Sequence, residues 1–116
     1  MGPHRVNIIN VLQLIAAPAE QLRYQANAPV NVSNELVNHW FDDFYHPNSP
    51  QFASEFSGEE LERLAEFNSF FDERVALLPD SLAEMLKVAA WSEVFAKANA
   101  VLAVCGRQEV QARYEL

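Results

Sequence analysis

Residues Ser57 to Leu78 read SGEELERLAEFNSFFDERVALL, and the fold turns on this stretch. Leu61, Leu64, Ala65, Phe67, Phe71, Val75 and Leu78 recur at mostly three- and four-residue steps, the period of one helical face. Ser57 and Glu60 stand at capping-box spacing. The hydroxyl accepts from the third helical N–H, and the glutamate reaches back to the serine amide. Pro79 stops the run. The charges fall on the other side: Glu59, Glu62, Glu66 and Glu73 follow at steps of three, four and seven, opposite the leucines. The expectation is a long amphipathic helix with one acidic face.

The segments around it carry the same period. From Val6 to Ala26, Ile8, Val11, Leu12, Ile15, Ala19 and Leu22 form an apolar row interrupted by Pro18, which either kinks one helix or opens a second. NAPVNV (27–32) reads as a loop. Asn34 to Tyr45 is a helix with Ser33 as its N-cap and Leu36, Val37, Trp40, Phe41 and Phe44 on one stripe. HPNSPQFAS (46–54) carries two prolines and ends it. DSLAEML (80–86) is a short helix capped by Asp80 or Ser81. Ala89 to Cys105 places Trp91, Val94, Phe95, Ala98, Val101, Leu102 and Cys105 inward. Glu93 and Lys97 form an outer i,i+4 pair, and Gly106 marks the stop. No segment alternates with period two, and no repeat is present. The fold class is all-α: one small helical bundle over residues 1–116. Residues 1–5 are expected as a vector-derived or disordered start, with no role for His4, and residues 107–116 as a looser tail.

Composition narrows the function. The chain has 116 residues, half of them hydrophobic, which suits one core. Three glycines argue against phosphate-cradling loops. A net charge of −8 disfavours nucleic acid and anionic membrane as direct ligands and favours a basic protein partner. Cys105 is the single cysteine, so no internal disulfide forms and a reducing, cytoplasmic setting is natural. Residues 6–19 faintly resemble a signal-peptide core. Asn7, Asn10 and Gln13 interrupt it, and no apolar run has the length of a membrane span.

Chemistry is hard to find. In WFDDFY (40–45) two aspartates sit among four aromatics. On a helix, His39 lies four residues before Asp43 and Asp42 four before His46, a spacing that suits a divalent metal or a base with its orienting carboxylate. The same residues are equally the wet side of a helix whose apolar stripe faces inward, and that reading is preferred. Cys105 lies in an apolar stripe, the serines lack a nucleophile context, and Trp40 and Trp91 read as core anchors. No catalytic residue, metal or cofactor is assigned. Phe70 falls at the edge of its stripe.

Charge distribution says more. Asp42 to Glu84 holds eleven acids against Arg63 and Arg74, a balance of −9, while the remainder carries five acids and six bases. Like charges at helical spacing cost a few tenths of a kcal/mol per pair. A chain that keeps them either uses their field or relies on it for solubility.

Four blocks carry a resemblance: APAEQLRYQ (17–25), VSNELVNHWFDDFY (32–45), FSGEELERLAEFNSFFDE (56–73) and LPDSLAEMLKVAAWSEVFAKANAVL (78–102). In this order, over about Ile8 to Leu102, the chain resembles small acidic immunity proteins of bacterial polymorphic toxin systems, including contact-dependent growth inhibition. The resemblance implies a cytoplasmic, non-enzymatic protein that binds one cognate toxin domain, often a nuclease. Together with the charge map it makes Glu59, Glu62, Glu66 and Glu73 the candidate partner contacts, with Asp42 and Asp43 second. A helical adaptor of another complex is the alternative. A metal-dependent enzyme centred on His39, Asp42 and Asp43 comes third.

Overall fold

The capping box at Ser57 forms as the spacing requires. In the computed structural model, which describes residues 2–105, the Glu60 amide donates to Ser57 Oγ at 3.1 Å and the Ser57 amide to Glu60 Oε1 at 2.9 Å. Helix α5 then runs Gly58–Val75 and buries Leu64, Phe67 and Phe71. Leu61, Val75 and Leu78 are half-buried, and Ala65 is exposed, on the outer side of the stripe predicted for it.

The other helices are α1 (Pro3–Ile15), α2 (Pro18–Asn27), α3 (Val32–Asn38), α4 (Pro50–Ala53), α6 (Leu82–Met85) and α7 (Ala89–Cys105). A π-helical turn, His39–Phe44, extends α3. The protein is all-α, a small helical bundle around a single core cluster. Its radius of gyration of 13.5 Å is that of one domain of this length. No helix among the described residues is long and apolar enough to cross a membrane.

Helix α1 is the central element. Ile8, Ile9, Val11, Leu12, Gln13, Leu14 and Ile15 are all buried, because α2, α7 and the π turn pack around it. It begins at Pro3, inside the stretch expected as a start without structure. Gly2 offers no side-chain cap. Instead Glu55, distant in sequence, accepts from the Arg5 amide at 2.8 Å and caps the helix from outside. A Cβ on Gly2 would collide with that carboxylate. His4 packs its ring 5.8 Å from Phe52.

Pro18 opens a second helix, and the apolar phase does not carry across it. Ala19 and Leu22 are exposed, and Gln21 takes the buried position. Its amide donates to Leu14 O (2.8 Å) and Ile15 O (2.9 Å), carbonyls at the end of α1. Its oxygen accepts from Trp91 Nε1 at 3.2 Å. One side chain thus satisfies three buried groups from two helices.

Helix α3 is capped by Asn31, whose oxygen accepts from the Asn34 amide at 3.4 Å. Ser33, expected as the cap, is buried, and its hydroxyl donates to Pro79 O at 2.9 Å. In the π turn the Tyr45 amide donates to Trp40 O at 3.1 Å. This i,i+5 spacing aligns residues five apart as an α-helix aligns residues four apart. Tyr45 therefore stacks on Trp40, with ring centroids 4.8 Å apart and an interplanar angle of 12°.

That pair belongs to a chain of rings through the core. Phe56 meets Phe52, Phe52 meets Tyr45, Trp40 meets Phe67, Phe67 meets Phe71, and Phe71 meets Trp91, at centroid separations of 4.7 to 5.9 Å. Each such pair adds about 0.5–1.5 kcal/mol beyond area burial. Phe52 enters this chain from α4, a single turn capped by Ser49 within the stretch expected only to end the preceding helix. Ser81 caps α6, and α7 covers the expected residues. Gly106 as helix stop, and the tail 107–116, lie outside the described residues.

Candidate protein-binding surface

Glu59, Glu62, Glu66 and Glu73 are all exposed on the side of α5 away from Leu64, Phe67 and Phe71. The flanks of the helix are occupied. Asn68 on one edge accepts from Trp40 Nε1 at 3.0 Å, which docks the π turn. Arg74 on the other edge reaches Glu93 of α7 at 3.1 Å. The acidic row is left as the outward surface between them.

Ion pairing divides the carboxylates into two groups. Glu60 is structural. Arg5 donates to both its oxygens at 2.7 Å, a bidentate pair that ties the start of α1 to the start of α5. Hydrogen bonding to Arg5 holds the Glu60 carboxyl down at about 2, and the same contact raises the Arg5 guanidinium. Arg5 also donates to Glu55 O and lies 5.4 Å from the Phe56 ring centroid. Glu66 holds Arg63 at 2.8 Å on the surface. By contrast Glu59, Glu62 and Glu73 make no ion pair among the described residues.

The bases divide too. Arg5, Arg23, Arg63, Arg74 and Lys87 each face a carboxylate within 4 Å. Lys97 is the described base outside any ion pair. The Glu93–Lys97 pair expected along α7 does not form, because Glu93 turns to Arg74 on α5 and Lys97 points its ammonium at Phe70, 5.5 Å from the ring centroid. The Arg74 guanidinium carbon lies 3.5 Å from the same centroid. Phe70 is half-buried and floors a shallow groove of about 410 Å³ with Ala65, Glu66, Ser69, Glu73 and Lys97.

Asp42 and Asp43 are exposed on the π turn. Asp43 Oδ2 lies 3.1 Å from His39 Nδ1, and Glu35 lies 3.7 Å from His39 Nε2. His46 does not join these side chains. The helix ends at Phe44, and His46 Nε2 contacts the Asp43 carbonyl oxygen at 2.8 Å. Among the described residues no three His, Cys, Asp or Glu side chains are arranged to hold a metal ion. Cys105 is buried.

The groove is the feature that sequence reasoning missed. The edge position of Phe70 was visible, but the cations over its ring come from Arg74, a turn along α5, and Lys97, on another helix, and no local pattern joins them. Comparison with known protein families, with curated proteins and with solved structures found no match.

Proposed function

We propose that this protein is a cytoplasmic immunity protein without enzymatic activity, which binds and neutralises a cognate toxin domain, a basic nuclease, through its acidic surface. One observation carries the reading. The outer face of α5 presents Glu59, Glu62, Glu66 and Glu73 to solvent, and three of the four have no counter-ion among the described residues. Such carboxylates attract a cationic partner without first breaking a contact of their own. A nuclease must hold phosphates and therefore exposes a cationic cleft. A rigid acidic helix competes for that cleft, speeding encounter over distances of about a Debye length. The sequence resemblance to immunity proteins points the same way, independently of the charge map. Asp42 and Asp43 extend the surface as secondary contacts.

The test is affinity capture with this chain at low salt from its source cells, followed by nuclease assay of what is retained. The expected result is a basic toxin fragment silenced at one-to-one stoichiometry. A retained protein that is neutral, or whose activity the chain leaves intact, overturns the proposal and favours the helical-adaptor alternative.

A further inference from the structure

The groove floored by Phe70 already behaves as a cation site. Arg74 stacks on the ring, and Lys97 reaches toward it from α7. Glu66 and Glu73 lie on either side of Phe70 along α5, seven residues and so about 10 Å apart. Lys97 is the one base among the residues lining the groove, and among the described residues it is paired with no carboxylate. A lysine is a poor occupant here. Its charge is compact and strongly hydrated, whereas a guanidinium stacks flat on a ring and grips a carboxylate with two parallel N–H groups. Among the described residues Glu73 has no ion partner to give up, and Arg63 holds Glu66 only in an exposed pair of the kind worth little. Glu62, one turn before Glu66 and also outside any ion pair among the described residues, adds to the local negative charge.

We propose that this groove between α5 and α7 receives an arginine of a basic partner protein, seated on Phe70 between Glu66 and Glu73 in place of Lys97. Lys97 is then an internal stand-in that holds the groove until the partner arrives. The inference rests on the reading of the acidic helix as a partner surface and names its anchor point.

The test uses the full chain and a nine-residue peptide alternating arginine and serine, with its lysine counterpart as control. Amide shifts are mapped by NMR and affinities measured in low salt. The largest shifts are expected at Ser69, Phe70 and Lys97, with the arginine peptide bound more tightly than the lysine peptide. Phe70→Leu should weaken arginine-peptide binding roughly two- to fivefold, the range of an exposed cation–π contact. Glu73→Gln, at an exposed position that leaves the fold intact, should weaken it by a similar factor, and Lys97→Met should tighten it. Asp42→Asn with Asp43→Asn should change it less than either groove variant. Shifts centred on residues 42–46 or spread evenly over every exposed acid, equal binding of both peptides, or no tightening by Lys97→Met would each overturn the groove. The two proposals fail separately. A toxin neutralised equally well by the Phe70→Leu and Glu73→Gln variants removes the groove and keeps the immunity reading. Arginine-selective binding in the groove with no toxin captured does the reverse.

Discussion

Replacing Glu60 with glutamine tests whether the two helix starts are held by charge or by shape. Glu60 closes the capping box and takes both Arg5 contacts at 2.7 Å. Glutamine keeps the length and one acceptor for the Ser57 amide, but it puts an NH₂ group against a guanidinium. The carboxyl sits at about 2 in the folded protein against an ordinary 4.5. Each unit of difference corresponds to about 1.36 kcal/mol, giving an upper bound of about 3 kcal/mol. The two side chains are 16% and 13% exposed, so solvent screens the pair only in part, and about 2 kcal/mol is the working figure. Because the folded value lies below the unfolded one, this stability is fully present above pH 4.5 and is lost as the pH falls toward 2. Urea unfolding of both proteins from pH 7 to pH 2.5 measures it. Glu60→Gln should be less stable by about 2 kcal/mol at pH 7, and the gap should mostly close by pH 2.5. Subtracting one curve from the other cancels the protonation of the remaining acids. A gap of the same size at both ends of the range would refute the electrostatic account and assign the loss to packing.

Other outcomes follow from the same geometry. Gln21→Leu leaves the Ile15 carbonyl and the Trp91 N–H without their partners and leaves Leu14 O only the Ala17 amide, so it should cost about 2–4 kcal/mol in urea unfolding despite being a polar-to-apolar change at a buried site. Phe52→Ala removes a fully buried ring from the aromatic chain and should cost about 3–4 kcal/mol, whereas Leu77→Ser, at a position 65% exposed, should stay within about 0.5 kcal/mol. Reversing Glu62 and Glu66 to lysine should slow association with the captured toxin and flatten its salt dependence, as followed by stopped-flow mixing, while leaving the unfolding midpoint near that of the wild type.

The parts of the fold legible in the sequence are those in which one helix answers to its own period. Helix α7 coincides with the expected span because its apolar row is unbroken over four turns. The capping box was legible because both partners lie within one turn. What escaped is set by contacts between segments. Arg5 meets Glu60 across 55 positions, so the anchoring of the N-terminal turn had no local signal. Phe52 follows two prolines in a stretch without periodicity, and only the rings around it reveal its burial. Ala19 and Leu22 were misplaced because Pro18 restarts the helix in a new phase, which turns a glutamine inward to serve carbonyls that α1 cannot satisfy itself. The candidate surface was legible as a row of glutamates. Its groove was not, because Lys97 lies on another helix and its expected partner Glu93 was drawn to Arg74.

That same cross-helix pairing explains how a chain with this charge leaves an acidic face. All the described bases but Lys97 are spent on architecture: Arg5 joins α1 to α5, Arg74 joins α5 to α7, and Arg23, Arg63 and Lys87 each hold a carboxylate three residues away. The matching acids, Glu60 and Glu93 among them, drop out of the surface field. What remains exposed and outside any ion pair among the described residues includes Glu59, Glu62, Asp72 and Glu73 on α5 and Asp42 on the π turn. Stability asks nothing of these residues, and their mutual repulsion mildly opposes the helix that carries them. Neutralising them should therefore leave the fold intact or slightly strengthen it, while any function that depends on the field is lost. A fold that weakened when they were removed would mean that the carboxylates serve the bundle itself, and the case for a partner surface would go with them.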